Sequence, residues 1–523
     1  MHHEKSPRPD TIYADAESRS SDPDLPYNGH GGYVLDAARL SQGDATKLSP
    51  DGRTILIPQP CDDPNDPLNW SQFRKNLILA LVCACTFLPD YGSVTGAVTL
   101  IPQAKEYGIT PDEVNHSQSG NQFMVGAGGV IAVMFSAYFG RLPVLFWFMV
   151  IATATALGQA GSHGFDGFFV PRVLNGFFSG AAQGSGLMFI KDMFFLHEHA
   201  RKINIWQASV ILSPYLGPLL ASFMVTRLSW RWPFWIYSIE TGLCLVAVAL
   251  LGEETYYNRH LSIEKQPHRQ SRFFRLIGVE QWRSRHLRDG FAESMTRALR
   301  TIARPVVLLA DFYYMCTFAW VVGINATLAL FLTSLYGFGP RQTGFFFFAP
   351  IVAAILAEAI GHFLHDGLAQ LYIRRHRGCL EPEARLSVIY FAIPFLITGL
   401  VVLGFALEHK WHYMITAVAW GMYVFGTMIT SVGVSAYQLD AYPKESGEVG
   451  AWINFSRTAG GFIVAYFQVR WVGKTGAAVC FGTQAAICAA VVPIVVILQV
   501  WGERLRMWEA RAYGQTLVKR TEA

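Results

Sequence analysis

Residues 253–304 read EETYYNRHLSIEKQPHRQSRFFRLIGVEQWRSRHLRDGFAESMTRALRTIAR, and eleven of them are Lys or Arg. Arg269, Arg272, Arg275, Arg283, Arg285 and Arg288 form the densest part. What flanks this segment decides the fold. An apolar run of roughly 18 residues crosses a bilayer core about 30 Å thick as a helix. Six such runs precede the basic segment, at 76–98, 120–138, 143–160, 168–190, 203–226 and 233–252. Six follow it, at 305–333, 343–363, 386–407, 412–432, 449–469 and 476–500. A basic segment between spans belongs in the cytoplasm, and an even number of spans on each side sends both chain ends to the same face. The expectation is an all-α polytopic membrane protein with 12 transmembrane helices. Two six-helix bundles, 76–252 and 305–502, flank a cytoplasmic linker, 253–304, with a disordered cytoplasmic tail over 1–75 and another cytoplasmic tail over 503–523.

Composition agrees. The chain is 52% apolar, 14% aromatic and only 15% charged, where soluble proteins carry about a quarter charged residues. Its eight cysteines stand mostly singly in apolar runs, where cysteine behaves as a small hydrophobe, so no disulfide or metal framework is expected. A net charge of +4 gives no reason to expect a nucleic-acid partner. Arg374, Arg375, Arg377 and Arg385 between spans eight and nine, and Arg201 and Lys202 between four and five, fall on the same face as the linker. The triplet Asn115-His116-Ser117 falls in the first loop, on the opposite face, and makes Asn115 a candidate glycosylation site.

Two six-span halves joined on one face suggest parallel repeats with a small-molecule site between them near the midplane. Certain segments carry a more specific signal: Asn175-Gly176 after Arg172, Ser213-Pro214-Tyr215-Leu216-Gly217-Pro218, and Tyr138-Phe139-Gly140-Arg141-Leu142-Pro143-Val144. To these add Asp66-Pro67-Leu68-Asn69-Trp70, Trp230-Arg231-Trp232-Pro233-Phe234-Trp235, Tyr442-Pro443-Lys444 and Asn454-Phe455-Ser456-Arg457. Together they resemble the twelve-span drug:proton antiporter type of fungal major facilitator, in the branch that includes the histidinol and polyamine permease. The resemblance covers nearly the whole membrane part. It implies the major facilitator fold, a monomer in the plasma or vacuolar membrane, protons as coupling ion and no cofactor. Export of a drug or secondary metabolite and uptake of an organic cation such as a polyamine both fit it, as does a non-transporting sensor of the same fold.

Each motif also has a physical reading. Gly217-Pro218 inside span five removes a backbone donor and kinks the helix, with Ser213, Ala221 and Ser222 small enough for close helix approach. The resemblance makes it the antiporter motif. The family's loop between spans two and three normally carries an Asp four residues after a Gly, and here only Gly140-Arg141 survives. A latch built on that carboxylate is therefore not expected, although Arg141 remains free to pair with a helix end.

Ionisable residues inside spans cost about 2.5–3.5 kcal/mol each on insertion scales and are functional candidates by default. Helical rise puts Asp90 about 21 Å from the linker-side end of span one and Arg172 about 6 Å from the other end of span four. Those are similar levels. The pair reads either as a coupling pair, responsive to proton or cargo, or as a static pair that helps packing. Asp311, Glu358 and Arg457 come out about 10, 8 and 12 Å from the linker side, a second charged layer in which Arg457 is expected to neutralise a carboxylate. Tyr314, Trp320, Asn325 and Asn454 are expected to line an apolar cavity with polar handles.

Catalytic fragments fail on inspection. Gly473-Lys474-Thr475 has Gln468 where a phosphate loop needs its first glycine, and His197-Glu198-His199 lacks the spacing that puts two imidazoles on one helical face. A membrane-embedded enzyme would need nucleophile and base, or metal ligands, at one depth, and none cluster there. The sequence reads as a secondary transporter.

Overall fold

The computed structural model describes residues 47–49 and 56–512, apart from 260, 262, 268, 270, 289 and 376–380. Expectations for 1–46 and 513–523 lie outside the described residues. The N-terminal half comprises α1 Gln72–Thr95, α2 Pro111–Phe139, α3 Arg141–Gly161, α4 in two pieces (Phe165–Ser179 and Ala181–Met193), α5 Leu196–Val225 and α6 Trp232–Leu251. The C-terminal half comprises α7 Pro305–Tyr336, α8 in two pieces (Pro340–Phe346 and Phe348–Arg375), α9 Ser387–Glu408, α10 Tyr413–Ala441, α11 Ser446–Thr475 and α12 in two pieces (Ala477–Ala490 and Val492–Ala512). Short helices, among them Arg272–Ile277, Val279–Arg283 and Phe291–Ile302, build the linker.

Local chemistry sets the ends of these helices. Ser71 caps α1 by accepting from the Arg74 amide. Thr110 and Glu113 form a reciprocal capping box at the start of α2, with Pro111 at the first helical position. Gly140, at φ 98°, breaks α2 from α3 in a conformation that favours glycine. Ten of the twelve segments are long and apolar enough to cross a membrane. The other two are α4, which is interrupted at Gly180, and α11, which is long but carries Glu448, Asn454, Arg457 and Gln468.

Glycine draws α4 against α2. A Cβ at Gly128 would collide with the Phe177 carbonyl, and Gly176, Gly180 and Gly184 meet the backbone at Asn121, Val125 and Gly129 in the same way. Backbones touching along one face stabilise a helix pair where lipid supplies no hydrophobic drive. Between the halves, α2 lies along α11: the Phe123 ring meets Phe455 and Phe462 at 5.7 and 5.0 Å, and Asp112 pairs with Arg470 at 2.6 Å on the side opposite the linker. On the linker side Leu187 and Met188 of α4 pack against Gly450 and Gly447 of α11, and Arg297 of the linker pairs with Glu448 at 2.6 Å. The halves therefore touch at both ends.

Three boundaries differ from expectation. Residues 56–71, expected to belong to a disordered tail, are packed: Asp66, Leu68 and Trp70 are buried, Arg259 pairs with Asp66 at 2.9 Å, and Tyr257 donates to Asp63. Polar side chains satisfied by the linker do for this segment what an apolar pattern usually does. At the other end, α12 continues to Ala512, with Glu509 buried and paired with Arg304 at 2.7 Å, so residues 503–512 are not tail. Asn115 lies inside α2 rather than in the first loop; its side chain is buried and donates to the Ala465 carbonyl of α11 at 3.2 Å. A glycan has no access to it in this arrangement.

Candidate functional site

The buried centre holds one ion pair that crosses the two halves. Asp90 of α1 and Arg457 of α11 meet at 2.8 Å, with side chains 0% and 5% exposed. Pro89 lies beside Asp90 within α1. Gln122 of α2 and Gln183 of α4 donate to the two Asp90 oxygens at 3.0 and 2.8 Å. Arg457 in turn donates to the Gln183 side-chain oxygen at 3.1 Å and to Asn454 at 2.8 Å. Its guanidinium lies 5.3 Å from the centroid of the Phe318 ring of α7. Three helices of one half and two of the other thus contribute, directly or through a ring, to a polar cluster in an apolar interior. Burial of such a pair is tolerable because further hydrogen bonds reach both Asp90 oxygens and the Arg457 guanidinium.

This corrects the expected pairing. Arg172 is buried but does not meet Asp90. Its Nη2 donates to the Ser93 carbonyl at 2.8 Å, and its guanidinium sits 5.4 and 5.0 Å from the Phe168 and Phe234 rings. Arg457, expected to neutralise a carboxylate of the Asp311 layer, reaches Asp90 instead. Helical rise gives a side chain's level but not its azimuth, and Arg457 holds the azimuth that faces Asp90 across the interface.

Asp311 of α7 stands apart. It is 3% exposed, Gln438 of α10 donates to its Oδ1 at 2.9 Å, and Oδ2 has no hydrogen-bond partner. Among the described residues no basic side chain lies within ion-pair distance of it. Glu358 is half-buried in α8, in contrast to the full burial of Asp90 and Asp311.

The aromatic and amide candidates divide. Tyr314 and Phe318 stack along one face of α7 with centroids 5.5 Å apart, and Tyr314 donates to Ser431 of α10 at 3.1 Å. Asn325 lies seven residues beyond Phe318, on the same helical face, buried with both amide atoms unpartnered. Asn454 keeps its Nδ2 unpartnered. Trp320 is a correction: it lies beside Cys488 of α12, on the side of α7 away from Phe318, so it does not face the other half. Sequence reading passed over Gln122, Gln183, Gln438 and Tyr215. The phenol of Tyr215 is buried and unpartnered, within electrostatic reach of both Asp90 and Arg457.

The turn at Gly140-Arg141 and the kink at Gly217-Pro218 have concrete contacts. The Arg141 amide donates to Glu254 at 3.0 Å, and its guanidinium donates to Asp192 at 3.1 Å and to the Ser136 carbonyl at 3.0 Å. Glu254, from the segment after α6, also lies against Gly140. The loop's missing carboxylate is thus matched by one from a distant stretch. A Cβ at Gly217 would stand 2.5 Å from the Tyr91 carbonyl, so the glycine before Pro218 lets α5 press against α1 one residue from Asp90.

A sequence model described as Major Facilitator Superfamily matches residues 79–465. The multidrug transporter TPO1_1 of Candida glabrata is 26% identical, over 86% of this chain and 80% of that protein. The efflux pump radE of Floropilus chiversii is 23% identical, over 85% and 83%. An MFS-type transporter of Schizosaccharomyces pombe is 24% identical, over 89% and 90%. Among solved structures, the xylose transporter XylE of E. coli aligns at TM-score 0.59 and 12% identity, covering 82% of this chain and 97% of that one. The human organic anion transporter MFSD10 aligns at 0.53 and 14%, covering 80% and 99%. At such identities the solved structures speak for the fold alone.

Proposed function

The chain belongs to the Major Facilitator Superfamily, and we propose that it exports an amphipathic small organic molecule in exchange for protons by alternating access. The observation that carries this reading is the position of the Asp90–Arg457 pair. It ties α1 of one half to α11 of the other at the buried centre, so opening the halves toward either face must loosen it. Cargo that offers a carboxylate-like acceptor or a donor set of its own can take over those bonds, which links occupancy to opening.

Asp311 supplies the proton site in this reading. Its Oδ2 is unpartnered, which leaves a place for a proton beside an acceptor already held by Gln438. Tyr314 and Asn325 on the same helix, with Asn454, line the cargo path. Arg172 holds the bend of α1 through Ser93, Gly217 and Pro218 set the α1–α5 contact, and Gly140 with Arg141 holds the linker-side turn. The basic linker places that face in the cytoplasm, and the chain works as a monomer in the plasma membrane. Names of the relatives favour export: one is called an efflux pump and another a multidrug transporter. Uptake of a polyamine-like cation is the weaker reading because the central carboxylate is already matched by an arginine.

The test is flux in reconstituted vesicles. A panel of amphipathic compounds should move against its gradient when a proton gradient is imposed, and a protonophore should abolish that movement. Flux indifferent to the proton gradient would contradict proton coupling; no flux of any compound would favour a sensor.

A further inference from the structure

We propose that Glu240 of α6, with Tyr91 of α1, forms a second binding site, at the border of the lipid-facing side of the N-terminal half, for the charged group of a lipophilic organic cation. The inference rests on the amphipathic-cargo reading only for its purpose. α6 spans Trp232–Leu251, so Glu240 lies about 12 Å from one end of a helix about 30 Å long, close to the midplane. On this helix Ile239, Leu243, Val246 and Leu250 are 57%, 65%, 54% and 63% exposed. They recur at helical spacing and mark the face turned to lipid. Tyr237, Thr241 and Val248 are buried and mark the opposite face. Glu240 sits at the border between them.

Its surroundings contain no counter-charge. Glu240 is half-buried, its Oε2 is shielded and unpartnered, and no basic side chain among the described residues pairs with it. The Tyr91 hydroxyl acts on it as a hydrogen-bond neighbour, and the Cys244 thiol lies within electrostatic reach. Tyr91 is buried, and the Phe87 ring lies 5.3 Å from it along α1. Cys85 and Cys244 also lie against each other where α1 packs on α6. An acidic residue at the midplane without a partner is a functional feature by default. A carboxylate backed by aromatic rings at the edge of a lipid-facing helix side is the chemistry that holds an organic cation, through charge and through ring faces. The satisfied Asp90 offers no such acceptor, so the two carboxylates divide the work: Glu240 captures from the bilayer and Asp90 governs the centre.

The experiment is equilibrium binding of tetraphenylphosphonium to the full chain in lipid nanodiscs, with triphenylphosphine oxide as an uncharged triaryl control. Glu240→Gln should weaken cation binding at least tenfold and leave the control unchanged, with Glu240→Asp retaining part of the affinity. Tyr91→Phe, which keeps the ring, gives a second reading should Glu240→Gln fold poorly, and should weaken cation binding by a few-fold. Unchanged cation affinity in Glu240→Gln, equal loss for cation and control, or no saturable cation binding to the wild type would each overturn the site. An unchanged affinity accompanied by a shifted pH profile of flux would assign Glu240 to the proton instead. Glu240-dependent binding in a chain that moves no cargo would keep this site and remove the transport reading.

Discussion

At the scale of residues, the two central carboxylates differ in what their removal leaves behind. Asp90→Asn or Arg457→Ala strands a buried charge, and breaking such a pair costs about 3–5 kcal/mol. Asp311→Asn strands none, since Gln438 can bond an amide as well as a carboxylate. Thermal unfolding in detergent should therefore show a clear loss for Asp90→Asn and Arg457→Ala, with partial recovery in the double Asp90→Asn, Arg457→Gln variant, and little change for Asp311→Asn. A large loss in all single variants would mean that Asp311 is a packing residue. Asp90, Asp311 and Arg457 stood out in the sequence because a charge in an apolar run is conspicuous. The partner of Asp90 did not, because helical rise puts Arg172 at its level and Arg457 in the other charged layer. Gln122, Gln183 and Gln438 were passed over because an amide in a span carries no comparable signal, and Glu240 was passed over despite carrying the same signal as Asp90.

At the scale of elements, close backbone approach sets the geometry of α1, α2, α4 and α5. Gly217→Ala would drive a methyl group to 2.5 Å from the Tyr91 carbonyl, which is also backbone, and should lower folded yield as well as slow cargo flux several-fold in the protein that folds. Gly128→Ala meets backbone that cannot give way and should sharply reduce folded yield, read by size-exclusion chromatography. Normal flux in Gly217→Ala would show that the kink is passive. The loop between α1 and α2 carries a pH-sensitive contact. The Trp230 indole and then the Arg231 guanidinium hold the Glu106 carboxyl below its ordinary 4.5. A carboxyl depressed in the folded state stabilises above its unfolded value and loses that contribution as pH falls through the folded value. Protection of the Leu100–Tyr107 amides, measured relative to their intrinsic exchange rates, should thus be high at neutral pH and fall as pH drops below 4.5, and Glu106→Gln should remove that change in protection. The twelve spans were legible in their apolar runs, including α4 and α11, whose polar and glycine content sets them apart from the other ten. The docked segment 56–71 was not, because its order comes from Arg259, Tyr257 and Lys75 rather than from any periodicity of its own.

At the scale of the whole molecule, the halves are closed against each other on both faces, and a carrier must open them in turn. On the side opposite the linker His116 stacks on Tyr466 at 4.5 Å and Asp112 pairs with Arg470. Cysteines at His116 and Tyr466, joined by a short bifunctional reagent, should stop flux, and reduction of a cleavable reagent should restore it. Flux that survives the crosslink would rule out opening at that face. The six-plus-six layout followed from where the basic linker falls, whereas the closed interface could not be read from sequence, since apolar faces turned to lipid and to the other half look alike. In the proposed mechanism the central ion pair gates the carrier while Asp311 carries the proton. The decisive comparison is wild type against Asp311→Asn in vesicles of defined orientation, measuring both proton-driven flux and cargo exchange at equal pH. Asp311→Asn should lose proton-driven accumulation and its pH dependence but retain exchange. Accumulation that still follows the proton gradient in Asp311→Asn would contradict that mechanism.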